Sequence, residues 1–152
     1  MSKTVTFRGQ LADADQQRIK LATLKGKTGY RIKKFETISL QNTGGGVAGE
    51  HYTFIWSVKQ SEPISATTPN IDFTDQTLLA VNWSPNNAER PFAKSIVFDT
   101  VTFNQDIYVT HMDIAGTEPN NYLIELEVIN LSDLESTFHT LQNLKTISER
   151  TA

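Results

Sequence analysis

Cysteine is absent from this 152-residue chain. Disulfides and thiolate metal sites are therefore excluded, and redox usage says nothing about the compartment. Long apolar runs are missing as well. Nothing approaches the roughly 20 apolar residues of a membrane-spanning helix. The opening MSKTVTFRGQ has no apolar signal core, so the expectation is a soluble chain not exported by the Sec route. Catalytic signatures are equally scarce. There is no G-x-S-x-G elbow for a serine nucleophile. Gly44-Gly45-Gly46 is not followed by Lys-Ser/Thr and a helix start, so it reads as an exposed loop rather than a phosphate cradle. The three histidines, His51, His111 and His139, stand at no metal-ligand spacing from one another and read as unrelated residues. No catalytic residue, metal ligand or cofactor is expected.

What is present is a pattern of short strands. At this length one domain spanning 1–152 is expected, burying roughly 68–70% of its extended surface. Val5 and Phe7 alternate with polar neighbours. Ile19 and Leu21 do the same up to about Leu24, and Tyr30 and Ile32 open another strand after Lys25-Gly26-Lys27, which reads as a turn. The alternation slips at Lys33-Lys34-Phe35 and resumes at Ile38, the mark of a β-bulge. Tyr52, Phe54, Trp56 and Val58 share the most aromatic strand face, which reads as core because aromatic residues at period two in a sandwich point inward. Ile71-Asp72-Phe73 suggests a short edge element, and further strands follow at 79–83, at 96–103 with a break near Asp99-Thr100, and at 107–114. Tyr122, Ile124, Leu126 and Val128 face one way, with Glu125 and Glu127 facing the other.

The period then changes. Ser132 and Glu135 form an S-x-x-E capping box, and Leu134, Phe138, Leu141, Leu144 and Ile147 line one stripe of a helix over about 133–149. Seven to nine strands with no alternating long helices predict an all-β fold, an antiparallel β-sandwich of jelly-roll type with a C-terminal α-helix.

Charge is unevenly placed. Residues 1–75 carry ten Lys/Arg and seven Asp/Glu, while residues 76–152 carry four and ten. Such halves either pair internally or dock head to tail on a neighbouring copy. The sharpest feature is the acid-free run 18–34, with Arg18, Lys20, Lys25, Lys27, Arg31, Lys33 and Lys34. On a hairpin these would make one basic sheet face. The face is solvated, meets an acidic protein neighbour, or contacts nucleic-acid phosphates. Trp83, beside the polar loop 84–91, is the candidate ligand-facing aromatic, as on a carbohydrate- or receptor-binding module. Glu125 with Glu127, Asp72 with Asp75, and Asp99 with Asp106 are the carboxylate pairs. Alternating glutamates ordinarily solvate a strand, and a glycosidase pair is the other use. A structural Ca²⁺ at the loops is a further possibility without assignable ligands.

IKLATLKGKTGYRIKKF at 19–35, FTDQTLLAV at 73–81, FNQDIYV at 103–109 and NYLIELEVINLSDLESTFHTLQNL at 121–144 resemble small virion proteins of marine bacteriophages. The resemblance covers more than half of the chain and implies a β-sandwich that builds or decorates a capsid. It implies no enzymatic activity and supplies no catalytic residues. The expected partners are copies of the chain or other virion proteins, with nucleic acid a possible contact of the basic run. The expected location is the virion, assembled in the host cytoplasm.

Overall fold

Eight strands account for the alternating segments: β1 (Lys3–Leu11), β2 (Asp15–Ile19), β3 (Thr28–Ser39), β4 (Gly49–Trp56), β5 (Leu78–Asn86), β6 (Lys94–Val97), β7 (Ile107–Asp113) and β8 (Asn120–Asn130). The computed structural model describes residues 3–39, 49–61, 71–86, 93–132, 135 and 137–143. The glycine-rich loop at 41–48 and much of the two polar loops at 61–70 and 84–91 lie outside the described residues, as does the expected helix beyond 143.

The strands form two antiparallel sheets, ordered β1-β8-β3 and β2-β7-β4-β5-β6. This order is that of a two-sheet jelly roll, with one departure. The sixth strand would complete the smaller sheet beside β3, but β6 instead pairs with β5 through Ala80↔Val97 and Trp83↔Lys94. The chain then crosses the sandwich, and Phe103 exchanges backbone hydrogen bonds of 2.8 and 3.0 Å with Tyr30 of β3. The expected break near Asp99-Thr100 is this crossing.

β8 sits between β1 and β3 and shows why the alternation was legible. Tyr122, Ile124 and Leu126 are buried against the facing sheet, while Glu125 and Glu127 are half-buried on the other side. The slip at Lys33-Lys34 is a register shift between Ile32 and Lys34 in the β3–β8 pairing. One extra residue there returns Phe35 to the inner face, opposite Ile124.

Three expectations change. First, β2 and β3 are not a hairpin, because β2 pairs with β7 and β3 with β8, in opposite sheets. Gly26, at φ 63°, makes the turn, but the turn belongs to a crossing between sheets. Second, Tyr52, Phe54 and Trp56 do not point into the space between the sheets. The inner face of β4 is His51, Thr53 and Ile55, and Phe54 joins Leu78, Val81 and Met112 in a second cluster on the outside of the larger sheet. Third, 71–73 is a loop in which Asp72 accepts hydrogen bonds from the N–H and hydroxyl of Thr74.

The capping box forms as expected. The Glu135 N–H donates to Ser132 Oγ at 3.2 Å, and that hydroxyl donates to Glu135 Oε1 at 3.0 Å. In the helix over 135 and 137–143, α1, the described members of the apolar stripe, Phe138 and Leu141, do not pack on the sandwich. The helix meets the sandwich through polar side chains, with Asn104 Nδ2 donating to Thr140 Oγ1 and Asn143 Nδ2 to the Ser57 carbonyl. Phe138 and Leu141 are 60% and 59% exposed. Ser132→Ala is expected to cost about 0.5–2 kcal/mol through loss of the cap, read as a lower melting temperature with reduced helical circular dichroism. An unchanged melt would place the helix start elsewhere.

Candidate functional site

The space between the sheets changes character along its length. Where β2 ends and β7 begins, it is filled by Ile19, Leu21, Ile32, Ile55, Leu79, Ile107, Val109 and Leu126. Towards the other end the larger sheet turns Thr53, Asn82, Ser84, His111, Asp113 and His51 inward, all of them buried. Asn120 of β8 closes this polar end, donating through Nδ2 to Thr53 Oγ1 at 3.0 Å.

The strand register produces the centre of this region. β4 and β7 pair His51 with Asp113 and Thr53 with His111, which puts the two histidines on one face as diagonal neighbours. Their rings stack with centroids 5.0 Å apart, and His51 Nδ1 lies 2.8 Å from His111 Nε2. The histidines are therefore not unrelated residues. His111 Nδ1 lies 3.0 Å from the Ala12 carbonyl. A carbonyl only accepts, so His111 carries its proton on Nδ1 and presents a lone pair at Nε2. His51 must then donate through Nδ1, and its Nε2 is left as an acceptor. Nε2 is fully buried and has no hydrogen-bond partner. Asn120 Oδ1, a second buried acceptor at this end, also lacks one.

Both imidazoles are held neutral. Burial pushes the pKa of His51 down, against the opposing fields of Asp113, Glu118 and Asp13. Burial likewise pushes His111 down, helped by His51 and opposed by its bond to Ala12, by Asp13 and by Asp113. Asp15 is also opposite His111 in register. The linkage sign follows. Below their ordinary pKa of about 6.5 the unfolded chain takes up protons that the folded one refuses, so stability falls as pH drops from about 6.5 towards the lowered folded values. Denaturant midpoints of metal-free protein measured between pH 8 and 5 are expected to fall below pH 6.5. The slope should flatten in His111→Gln. A flat wild-type profile would contradict the neutral pair.

Asp113 is the fixed carboxylate of the group. Its Oδ1 accepts the N–H groups of Glu50 and Ala115, and its Oδ2 accepts that of Glu118, each at 3.1 Å. These bonds also shape the turn 114–119. One ring nitrogen of His51 and a carboxylate oxygen from each of Asp113 and Glu118 lie within 4.8 Å of one another. The sequence holds no local motif for this group, since His51 lies about 60 residues before Asp113 and Glu118 and meets them only through register. The available signal was alternation: His51-Thr53-Ile55 and His111-Asp113 place polar residues on the same parity as core positions.

The opposite end of the sandwich is partly apolar, with a basic crossing between β2 and β3 and with Asp72, Asp75, Asp99 and Asp106 in the neighbouring loops. The crossing 20–27 carries Lys20, Lys25 and Lys27 without an acid, and Leu24 at its tip is fully exposed. Leu24 and Leu141 line one cleft of 430 Å³ with Thr23, Gln105 and Thr137. Asp106 pins the crossing. Burial works against its charge, but the N–H groups of Ala22 and Leu21 and the Arg18 guanidinium hold its carboxyl below the ordinary range.

The other residues singled out from the sequence are dispersed. Arg18 is bound to Asp106, Lys33 to Glu127 at 3.0 Å, and Arg31 Nε donates to Thr102 Oγ1, while Lys34 lies 3.7 Å from Glu36. The seven cations therefore do not share a face. Trp83 is half-buried, and its Nε1–H donates to Glu50 Oε1. A larger cleft of 960 Å³ is lined by Arg8, Gln10, Glu36, Ile38, Asn121 and Leu123 among others, and neither Trp83 nor the pair Glu125 and Glu127 lines it.

No family model and no curated protein matches the chain. Among solved structures, it is similar to the VP1 protein of Trichodysplasia spinulosa-associated polyomavirus in complex with 3'-sialyllactose. That likeness has a TM-score of 0.43 and 11% identity, and covers 82% of this chain and 93% of that one. It is also similar to a protein of Bacillus endospore appendages, described as a novel family of disulfide-linked pili, with a TM-score of 0.34 and 11% identity over 87% and 92% of the two chains. The fold assignment rests on the strand order described above.

Proposed function

We propose that this chain is a structural subunit, a jelly roll that assembles head to tail with copies of itself to build or decorate a virion of the marine bacteriophage type. The observation that supports this reading is the polarity of the sandwich. One end presents Lys20, Lys25 and Lys27 around the exposed Leu24, with Phe138 and Leu141 exposed on the neighbouring helix. The other end carries Asp13, Asp15, Glu50, Asp113 and Glu118 in and beside its turns, with Lys94 at the start of β6. A basic crossing at one end and acidic turns at the other favour a heterologous contact, which closes into rings or runs on as filaments and shells. The exposed apolar side chains then supply burial inside a charged rim. Catalysis has no part in this reading. The carbohydrate-binding alternative is less favoured, because Trp83 is committed to Glu50 within its own sheet. A nucleic-acid contact is also less favoured, because the basic run is divided between two sheets.

Concentrated protein at low salt is expected to show regular assemblies by negative-stain electron microscopy. At 1 M salt, where screening shortens the Debye length from about 10 Å to about 3 Å, they should dissociate. Fields of single particles at both salt concentrations would sink the reading.

A further inference from the structure

We propose that His51, Asp113 and Glu118 form a binding site for a divalent transition-metal ion, with zinc or manganese as the fitting class. The inference is independent of the assembly reading and rests on one buried acceptor without a partner. The chain of hydrogen bonds from the Ala12 carbonyl through His111 to His51 fixes both tautomers and leaves His51 Nε2 bare. That atom is buried without a donor to satisfy it, in a residue with no exposed surface, and the ligand atoms of two carboxylates lie within 4.8 Å of its ring. Three electron-rich groups converging in a largely buried place repel one another, and a buried acceptor left unmet is unfavourable. A cation resolves both problems at once.

The donor set selects the ion. An imidazole nitrogen with two carboxylate oxygens suits a borderline ion such as Zn²⁺ or Mn²⁺ better than Ca²⁺ or Mg²⁺, which take oxygen ligands. The surroundings are those of a built site. A ligating histidine ordinarily donates its other ring N–H to a fixed acceptor, which sets its tautomer. Here His51 donates to His111, which is itself anchored to the main chain. Asp113 is held by three backbone N–H groups from both sides of the site. Glu118, the least buried of the three, is the ligand with most room to adjust to metal–ligand distances of about 2.0–2.2 Å. Three protein ligands leave at least one coordination position for water. The ion would tie β4 and β7 to the turn that leads into β8.

The test uses the full chain freed of metal by chelator and dialysis, titrated calorimetrically with ZnCl₂, MnCl₂ and MgCl₂. One equivalent of Zn²⁺ is expected to bind with a dissociation constant in the micromolar range or below, on the order of 100-fold tighter than Mg²⁺, and to raise the melting temperature by several degrees. Glu118→Gln, at a half-exposed position that does not threaten folding, should weaken Zn²⁺ at least tenfold, and His51→Gln should do the same. His139→Gln, on the terminal helix, should leave the titration unchanged. Co²⁺ bound at the site should give visible d–d bands that Glu118→Gln removes. Absence of saturable Zn²⁺ binding up to 1 mM would overturn the proposal. So would binding that survives Glu118→Gln but is lost in His139→Gln.

Discussion

Replacing Phe35 with alanine is expected to cost about 3–5 kcal/mol, the range for truncating a fully buried aromatic residue. Phe35 is 2% exposed and stands opposite Ile124, itself wholly buried on the central strand of the smaller sheet. It also forms part of the wall of the 960 Å³ cleft, and its carbonyl accepts the Ser95 hydroxyl across the gap that β6 leaves beside β3. The cavity left by truncation would open towards that cleft, where β3 packs against β5 and β6 of the larger sheet. Stabilities of whole domains are only about 5–15 kcal/mol, so the urea midpoint should fall by a large fraction. Phe73→Ala is the control. Phe73 is 51% exposed and makes an edge-to-face contact with Phe98 at 5.2 Å, so a loss of about 1 kcal/mol is expected. Equal losses at the two positions would mean that the core does not lie between these sheets.

Asp113→Ala should be nearly as damaging in metal-free protein, by about 2–4 kcal/mol. The carboxylate is buried and accepts three backbone N–H groups, and each donor left unmet costs about 1–3 kcal/mol. Relief of repulsion with Asp13 and Glu118 offsets part of the sum. Asp113→Asn keeps one acceptor oxygen and should recover about half of the loss. Chemical denaturation of the three proteins at pH 7.5 in chelator reads the ladder directly. If alanine proves no worse than asparagine, the turn 114–119 is held by something other than this side chain.

Local patterns were legible where one period dominated. The alternation of 122–128, the slip at Lys33-Lys34 and the Ser132–Glu135 cap appear in the structure at the positions the sequence indicated. Partnering was not legible, because alternation says which residues share a face but not which strand lies alongside. Arg18–Ile19 and Tyr30–Ile32 read as two arms of a hairpin, yet the connection 20–27 between β2 and β3 crosses the sandwich. On β4 both faces are largely buried, so parity alone could not say whether Phe54 or Ile55 points inward. The aromatic face covers the outside of the sheet, and the inner positions include His51 and Thr53. The same ambiguity hid the histidine pair, since inward-facing polar residues break the rule by which core positions are recognised. Of the helix stripe, Phe138 and Leu141 lie within the described residues, and the sequence did not say which side of the helix would meet the sandwich. Asn104 and Ser57 offer hydrogen bonds there, and Thr140 and Asn143 accept that role while Phe138 and Leu141 face outward.

That outward face and the crossing beside it make association the claim most open to a direct measurement. Light scattering at low salt, over a hundredfold range of concentration, should give masses that rise in multiples of the 17.0 kDa chain. The double substitution Leu24→Asp with Leu141→Asp, both at exposed positions, should return the protein to a single chain with its melting temperature unchanged. A wild-type mass of 17.0 kDa throughout would contradict the account, as would assemblies indifferent to both substitutions.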